Sequence, residues 1–398
     1  MSFEKGDLEK QVPSLPKEVR LCKRCVYSNQ RPRISFDDDG VCSGCRNTEY
    51  KNNGVNWDNR EKELCDLLDK HRSKDGSWDV LVPSSGGKDS SYVAHQLKYK
   101  YGMNPLTVTW APLAYTDIGF QNFQSLIHSG ITNILCSPNG ELHRKFARLS
   151  FEELGDAFHV FVLGQNCFPF QMALKFGIDL VFYGENGEAE YGADPKFYDK
   201  PFKPVEEWQH QFFKGATFRE LLEYGVRNKD YLTQKDVDEA DLLFYEPPTL
   251  EQLKKAGIDG QYYYSYFHKW NPQENYYYAV EHTGFKANPE RTEGTYSKYA
   301  SLDDKMDGMH FYMRFIKFGL GRTMEDAAHE IRDGHLVREE GIALLKKYEG
   351  EFPEKYFKEF LDYLDISEEH FWEVVDDWRS PHIWKKEKNK WKLTFEYK

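Results

Sequence analysis

No run of apolar residues in this chain approaches the roughly 20 that a membrane-spanning helix requires. The opening Met1-Ser2-Phe3-Glu4-Lys5-Gly6-Asp7 lacks the apolar stretch of a secretory signal. Basic charge is also short: 53 Lys and Arg stand against 65 Asp and Glu, a formal net charge of −12. That balance argues against a broad nucleic-acid footprint, which needs a basic face, though a local basic groove is compatible with it. Cysteine is sparse, with seven in 398 residues. Without a secretion signal, these read as thiols or metal ligands rather than disulfides. Internal repeats are absent. A soluble, cytoplasmic protein is expected, with neither membrane nor nucleic acid as a partner. The length exceeds one compact core and suits two or three units. Aromatics are abundant, at 16% of residues with 26 Tyr and 28 Phe. Most must pack an interior, and some can line a pocket for a sugar or a base.

The most informative stretch is Ser84-Ser85-Gly86-Gly87-Lys88-Asp89-Ser90. Before it, Trp78 to Pro83 reads as a strand; after it, Ser91 to Leu97 reads as a helix. A glycine-rich turn between strand and helix makes a nest of backbone N–H groups at the positive end of the helix dipole. Such a nest binds phosphate. Gly86 and Gly87 allow close approach, Ser84, Ser85 and Ser90 add hydroxyls, and Asp89 supplies a carboxylate suited to Mg²⁺. The Walker spacing, with four residues between its first Gly and Gly-Lys-Ser/Thr, is not met. Gly319-Leu320-Gly321 lacks the third Gly of a dinucleotide fingerprint and follows helical sequence, so it carries no such reading.

Further along, strands are expected at 105–110, 133–137, 179–183 and 276–280, with helices at 58–73, 117–129, 141–154 and 164–176. This alternation predicts an α/β fold, a doubly wound parallel sheet wrapped by helices. Ligands of such sheets sit at the carboxyl ends of strands, near the switch in strand order. A charged, aromatic insertion spans about 188–275, and its Gln261–Phe267 tail is a buried strand or part of a pocket. From about 302 the chain reads as helices, with Thr323 as an N-cap before an acidic turn and later helices near 337–348, 353–364 and 367–378. Lys385 to Lys392 reads as a solvated tail.

Cys22 and Cys25 are two residues apart, as are Cys42 and Cys45, with sixteen residues between the pairs. Four thiolates so spaced suit structural Zn²⁺, an iron–sulfur cluster being the less favoured occupant. The site would staple a segment too small to hold a core alone. Arg31 and Arg33, between the pairs, reach a phosphate or carboxylate or are ordinary surface charge. After the fourth strand, Tyr183-Gly184-Glu185-Asn186-Gly187-Glu188-Ala189-Glu190-Tyr191 sets three glutamates where a parallel sheet presents its ligand. They read as metal ligands, as binders of a polar substrate, or as an exposed acidic loop. Thr109, Thr116, Gly119 and Asn122 lie at or just after the second strand, with Thr109 placed for adenine or ribose. Lys298, Lys317, Arg322, Arg332 and Arg338 are candidates to neutralise a leaving pyrophosphate, or ordinary helix-surface charge.

The Ser85–Ser90 loop resembles that of the ATP pyrophosphatases, which cleave ATP between the α and β phosphates. Most of the chain resembles the N-acetyl sugar amidotransferases of bacterial surface-polysaccharide biosynthesis. That resemblance rests on the two Cys pairs, Arg31-Pro32 and Gly40-Val41, the loop, Thr116–Asn122, Tyr183–Asn186 and Glu190–Gly192. It continues in Gly294–Tyr296, Asp303–Lys305, Lys317–Gly319, Gly321-Arg322, Ile331–Gly334 and Arg338–Glu340. It implies conversion of a sugar N-acetyl group to an acetamidino group through an adenylate, with release of AMP and pyrophosphate. It further implies ATP, Mg²⁺ and structural Zn²⁺, in a zinc-binding segment at 1–57, an ATP pyrophosphatase domain at 58–300 and a helical domain at 301–398. Asp89, Lys88, Glu185, Lys317 and Arg322 are then the catalytic candidates. Gly184 joins the loop and Thr109 around ATP. Arg31, Thr116, Asn122, Asn186, Glu188, Glu190, Tyr191 and Lys298 are assigned to the sugar, either nucleotide-linked or a nonulosonic acid.

Ammonia is expected from a separate glutaminase, paired with a cyclase-like barrel subunit, as the resemblance implies. In agreement, Cys136 and Cys167 lack the glycine-flanked turn of a glutaminase nucleophile, and residue 2 is Ser. The carboxyl-terminal helices offer a homodimer surface. Two rival readings remain: a tRNA thiolation enzyme using Cys136 and Cys167 as a catalytic pair, or these with Cys65 as a three-cysteine iron–sulfur site, and a non-catalytic module that senses ATP or AMP.

Overall fold

The structure is a computed structural model and describes residues 8–192, 195–204, 207 and 217–398. Met1–Asp7, on which the absence of a secretory signal was read, lie outside the described residues, as does part of the aromatic insertion. Six strands form one sheet in the order β3-β2-β1-β4-β6-β5. They are β1 (Val80–Pro83), β2 (Pro105–Trp110), β3 (Thr132–Cys136), β4 (Val181–Tyr183), β5 (Phe202–Pro204) and β6 (Gly260–Tyr263). All neighbours are parallel except β5, which runs antiparallel to β6 at one edge. The fold is therefore a mostly parallel sheet covered by helices.

Alternation along the central strands shows why both faces are covered. Leu81, Leu106, Val108 and Val181 point to one side, into a core shared with α5 (Gly140–Leu154) and α6 (His159–Phe176). Val80, Val82, Leu180 and Phe182 point to the other, against α2 (Trp57–His71) and α3 (Lys88–Tyr99). Side chains of a strand alternate faces, so a strand buried on both reads as a continuous apolar run. The remaining amino-terminal helices are α1 (Ser43–Asn53), which starts right after Cys42 and contains Cys45, and α4 (Asp117–His128), after β2.

The tyrosine-rich run expected as a fifth strand is helical: α7 spans Pro272–Thr283. Asn271 caps it, accepting from the Gln273 and Glu274 amides, and Pro272 occupies its first turn. The strand that completes the parallel set is β6, inside the insertion. Thr323 is not the N-cap expected. Helix α8 covers Asp307–Phe318 and α9 covers Arg322–Asp333, with Gly321 at the cap position. The α9 amides of Gly321 and Met324 are capped from outside by the Glu349 carboxylate. The lysine-rich end is also no tail. It forms an antiparallel hairpin of β7 (Trp384–Glu387) and β8 (Lys390–Leu393). Lys388 and Asn389 turn it with φ of 48° and 62°, the left-handed pair favoured by tight hairpins.

The cysteine segment does not stand alone. Cys22, Cys25, Cys42 and Cys45 share a core with Met324, Ala327 and Ala328 of α9 and with Ile342 and Leu345 of α10 (Arg338–Tyr348). Both ends of the chain thus meet over the carboxyl edge of the sheet. No helix among the described residues is long and apolar enough to cross a membrane.

Candidate active site

Strand order reverses between β1 and β4, and the loops after these two strands face each other there. The first is Ser84–Ser90. Gly86 has φ 87°, and a Cβ on it would fall 2.5 Å from the Phe123 Cα. Only glycine fits both the dihedral and the contact. The Ser84 hydroxyl donates to Ser90 Oγ at 2.8 Å and accepts from the Gly86 amide at 3.3 Å. The amino end of α3 opens from Gly87 with no side-chain cap, leaving its dipole directed into the cleft. Asp89 is held by Lys88 beside it and by the Asn275 amide of α7 at 2.9 Å.

The second loop runs from Gly184 to Gly192. Of its glutamates, Glu188 and Glu190 are committed elsewhere. Arg33 clamps Glu188 with two bonds, Nε to Oε2 at 3.0 Å and Nη2 to Oε1. Lys51 of α1 pairs with Glu190 in the interior. Asn47 donates to the Ala189 carbonyl at 3.0 Å, and Ser43 to that of Gly192. Arg332 of α9 donates to the Glu190 carbonyl at 2.7 Å. Glu185 alone of the three faces the Ser84–Ser90 loop. Burial and the nearby Asp89 carboxylate push its pKa up to about 7. The Tyr191 hydroxyl lies 3.5 Å from it.

One face of α9 roofs the cleft. Arg322, Glu325, Asp326 and His329 line it opposite Lys88 and Asp89. Their spacing of three, four and seven residues places them on one helical face. Arg322 meets Asp326 at 3.0 Å. Burial works against its charge, but Asp326, Glu325 and Asp307 hold the guanidinium protonated. The His329 imidazole is kept neutral by burial and by the positive charge of Arg332 and Lys88.

Thus Lys88, Asp89, Glu185, Tyr191 and Arg322 come together. Other expected site residues sit in supporting places. Thr109 is buried, donates to the Ser84 carbonyl and accepts from Asn133 at 2.8 Å, so it braces the loop from below. Gly184 accepts from the Ser265 amide at 2.9 Å, and Asn186 caps the short helix Gly187–Glu190. Thr116 caps α4, and Asn122 bonds both backbone groups of Lys286. Lys298 is exposed and donates to the Pro289 carbonyl. Lys317 is interior, donating to the Leu154 carbonyl at 2.6 Å, 3.4 Å from Glu9. Arg338 donates to the Cys22 and Cys25 carbonyls. Arg31 lies beside Tyr191, its guanidinium 5.9 Å from the ring centre. Glu325, Asp326, His329 and Asn275 went unread in the sequence. For Glu325, Asp326 and His329 the signal is the polar stripe at i, i+3, i+4 and i+7 from Arg322, and Asn275 has none.

The four cysteine sulfurs lie within 4.8 Å of one another, all buried. Cys22 and Cys45 are 3.8 Å apart, and Cys25 and Cys42 3.6 Å. Four sulfurs about 2.3 Å from a central ion stand about 3.8 Å apart in a tetrahedron. The cage fits one ion and leaves no room for a cluster of iron and sulfide. Amides of Arg24, Tyr27 and Cys42 point at the sulfurs at 3.2–3.4 Å and would disperse thiolate charge.

Comparison with known proteins bears on the carboxyl-terminal quarter first. Residues 293–398 match the family described as LPS biosynthesis protein WbpG-like, C-terminal domain. An uncharacterized protein of Methanocaldococcus jannaschii is 28% identical over 89 residues, 22% of this chain. The match spans only 31% of that relative's length. Among solved structures, an NMN synthetase from Francisella tularensis aligns at 13% identity and a TM-score of 0.28, over 60% of this chain and 100% of its own. The U34-tRNA thiolase NcsA of Methanococcus maripaludis, solved with its 4Fe–4S cluster, aligns at 12% and 0.28, over 86% and 95%. At these scores the fold assignment stands on the strand order alone.

Proposed function

We propose that the protein is an ATP-dependent amidotransferase that converts the N-acetyl group of a sugar to an acetamidino group, in the making of a surface polysaccharide. One observation carries the reading. A phosphate-binding turn at the strand-order reversal is roofed by a charged helix from the part that matches the WbpG-like domain. ATP lies with its phosphates on the amides of Gly86, Gly87 and the start of α3. The amide oxygen of the sugar attacks the α phosphorus, and pyrophosphate departs. Arg322 and Lys88 answer the charge that grows on the leaving oxygens. Ammonia then adds to the imidoyl carbon. Glu185, near neutrality in pKa, takes a proton from the resulting ammonium, and AMP leaves with the former amide oxygen.

Hard oxygen donors and repulsion between the Asp89 and Glu185 carboxylates fit a divalent cation at Asp89. Mg²⁺ bound there would shield the phosphate charge. Zn²⁺ in the cysteine cage would fix the segment that holds the Glu188–Gly192 loop. Ammonia comes from a partner glutaminase with its barrel subunit, and the carboxyl-terminal helices are a surface for a homodimer.

The three-cysteine form of the thiolation reading needs Cys65, Cys136 and Cys167 together. Among the described residues they form no cluster. Cys65 is exposed on α2, while Cys167 is buried in α6 on the opposite face of the sheet. The test is pyrophosphate release from ATP with ammonium chloride, across N-acetylated nucleotide sugars and nonulosonic acids. Release that depends on one sugar, with a product carrying NH in place of an oxygen, is expected. Silence with every sugar, together with AMP formation from tRNA and a sulfur donor, would overturn it.

A further inference from the structure

A second cavity, of about 210 Å³, opens next to the cleft and is lined by cations. Arg31 and Arg33 come from the cysteine segment, Arg314 and Lys317 from α8, and His310 from the same helix. The acid in the lining is Asp156, which orients His310 through a 2.8 Å contact to Nδ1. We propose that this cavity is a subsite for an anionic group of the substrate, a carboxylate or a phosphate, and that Arg31 is its principal reader.

Partners separate these cations. Arg33 is spent on Glu188, Arg314 pairs with Glu325, and Lys317 lies 3.4 Å from Glu9. Arg31 is different. It is half-buried, and its hydrogen bonds among the described residues go to two carbonyls, Pro32 and Gly187, at 3.4 and 3.3 Å. Its charge reaches the Glu188 and Glu325 carboxylates, but both are bonded to other arginines, and Arg31 itself makes no direct ion pair among the described residues. A half-buried guanidinium so placed favours an anion brought by a ligand. Arg314 also lines the cavity. Its Nε is buried without an acceptor among the described residues. Phe318, Leu320 and Pro32 supply apolar wall for a ring.

The cavity shares a wall with the phosphate-loop cleft. The Phe311 ring meets Arg314 of the cavity at 5.2 Å and Arg322 of the cleft at 4.7 Å. Arg31 lies against Tyr191, which lines the cleft. A substrate anchored on Arg31 therefore extends over Tyr191 toward Asp89. The identity of that substrate as a sugar rests on the amidotransferase reading; the anion site does not.

Calorimetric titration of the full-length, metal-loaded protein tests the site without turnover. The probes are a UDP-linked N-acetylated uronic acid, the matching UDP sugar with a 6-hydroxyl, and the free uronic acid. If the carboxylate is read, the acid binds wild type about 10- to 100-fold tighter than the alcohol. R31Q then abolishes that preference. If the diphosphate is read, R31Q weakens both nucleotide sugars alike and leaves the free acid unchanged. R314K, which keeps a charge opposite Glu325 but loses the fork, weakens the same probes less. Melting temperature reports that each variant is folded. Affinities unchanged in both folded variants, or no probe bound by wild type, would overturn the site. Binding as described with no pyrophosphate released would count against the amidotransferase reading alone.

Discussion

The two loops at the carboxyl edge of the sheet are held in opposite ways. Ser84–Ser90 is held largely from within. Its serine hydroxyls bond to one another and to its own amides, while Thr109, Asn275 and a close approach of Gly86 to Phe123 brace it from β2, α7 and α4. Gly184–Gly192 is held from outside, by Arg33, Ser43, Asn47 and Lys51 of the cysteine segment and Arg332 of α9. The first loop brings chemistry that its sequence declares. The second delivers Glu185 and Tyr191 only when a segment about 150 residues away in the chain is in place.

The sharpest break of the self-held loop is Asp89→Asn. Sugar-dependent pyrophosphate release should fall by at least about 100-fold, the scale for losing an electrostatic group in a preorganised site. The melting temperature should stay close to wild type, because an amide still meets polar partners. A variant that keeps more than a tenth of the rate would remove Asp89 from the chemistry.

The outside-held loop should break through its metal. Chelation, or Cys42→Ser, removes a site whose binding free energy is also folding free energy. The melting temperature should drop sharply, and tryptic cleavage should appear near the Gly184–Gly192 loop. Cleavage confined to residues 8–57 would mean that the segment merely caps the fold.

These two loops also mark what was legible in the sequence. The strand–turn–helix around Ser84–Ser90 could be read because its parts are contiguous, and the cysteine cluster because its spacing is local. The fates of Glu188 and Glu190 could not, since Arg33 and Lys51 find them only in three dimensions. The roof of Arg322, Glu325, Asp326 and His329 was half visible as a polar helical stripe, but nothing local said which loop it would cover. Tyr276–Tyr278 carry β propensity, but the Asn271-Pro272 start signal prevails and the run is helical. The hairpin is hidden in sequence because lysines dominate a stretch whose Trp384, Asn389 and Trp391 carry the structure.

A smaller effect isolates one clamp. Glu190→Ala leaves the Lys51 ammonium in the interior with the Ser265 carbonyl at 3.3 Å. Stranding such a charge costs about 3–5 kcal/mol. Replacing both partners, Lys51→Met with Glu190→Leu, should recover most of that loss, since paired burial is close to neutral against apolar packing. Chemical denaturation measures both. Equal stability of the single and double variants would mean the ion pair is no clamp.

The smallest effect concerns Glu185, the one glutamate of the outside-held loop that faces the other loop. Its folded pKa, about 7, lies above the ordinary carboxyl value near 4.3. A raised carboxyl binds its proton more tightly in the folded state. Its contribution to stability is therefore fully present at pH below about 4, falls as pH rises and is lost once pH passes 7. In the absence of nucleotide, Glu185→Gln, which cannot ionise, should be more stable relative to wild type at pH 8 than at pH 5. The kinetic counterpart runs the other way. As a base, Glu185 must be ionised, so amidine formation at fixed free ammonia should rise with pH through its ionisation in wild type and lose that inflection in the variant. The two measurements together separate roles that either alone would confuse. A stability difference without the kinetic inflection would make Glu185 a strained neighbour of Asp89 and leave the proton to another group. His329 is then the one to test, because its imidazole is neutral and lines the same cleft.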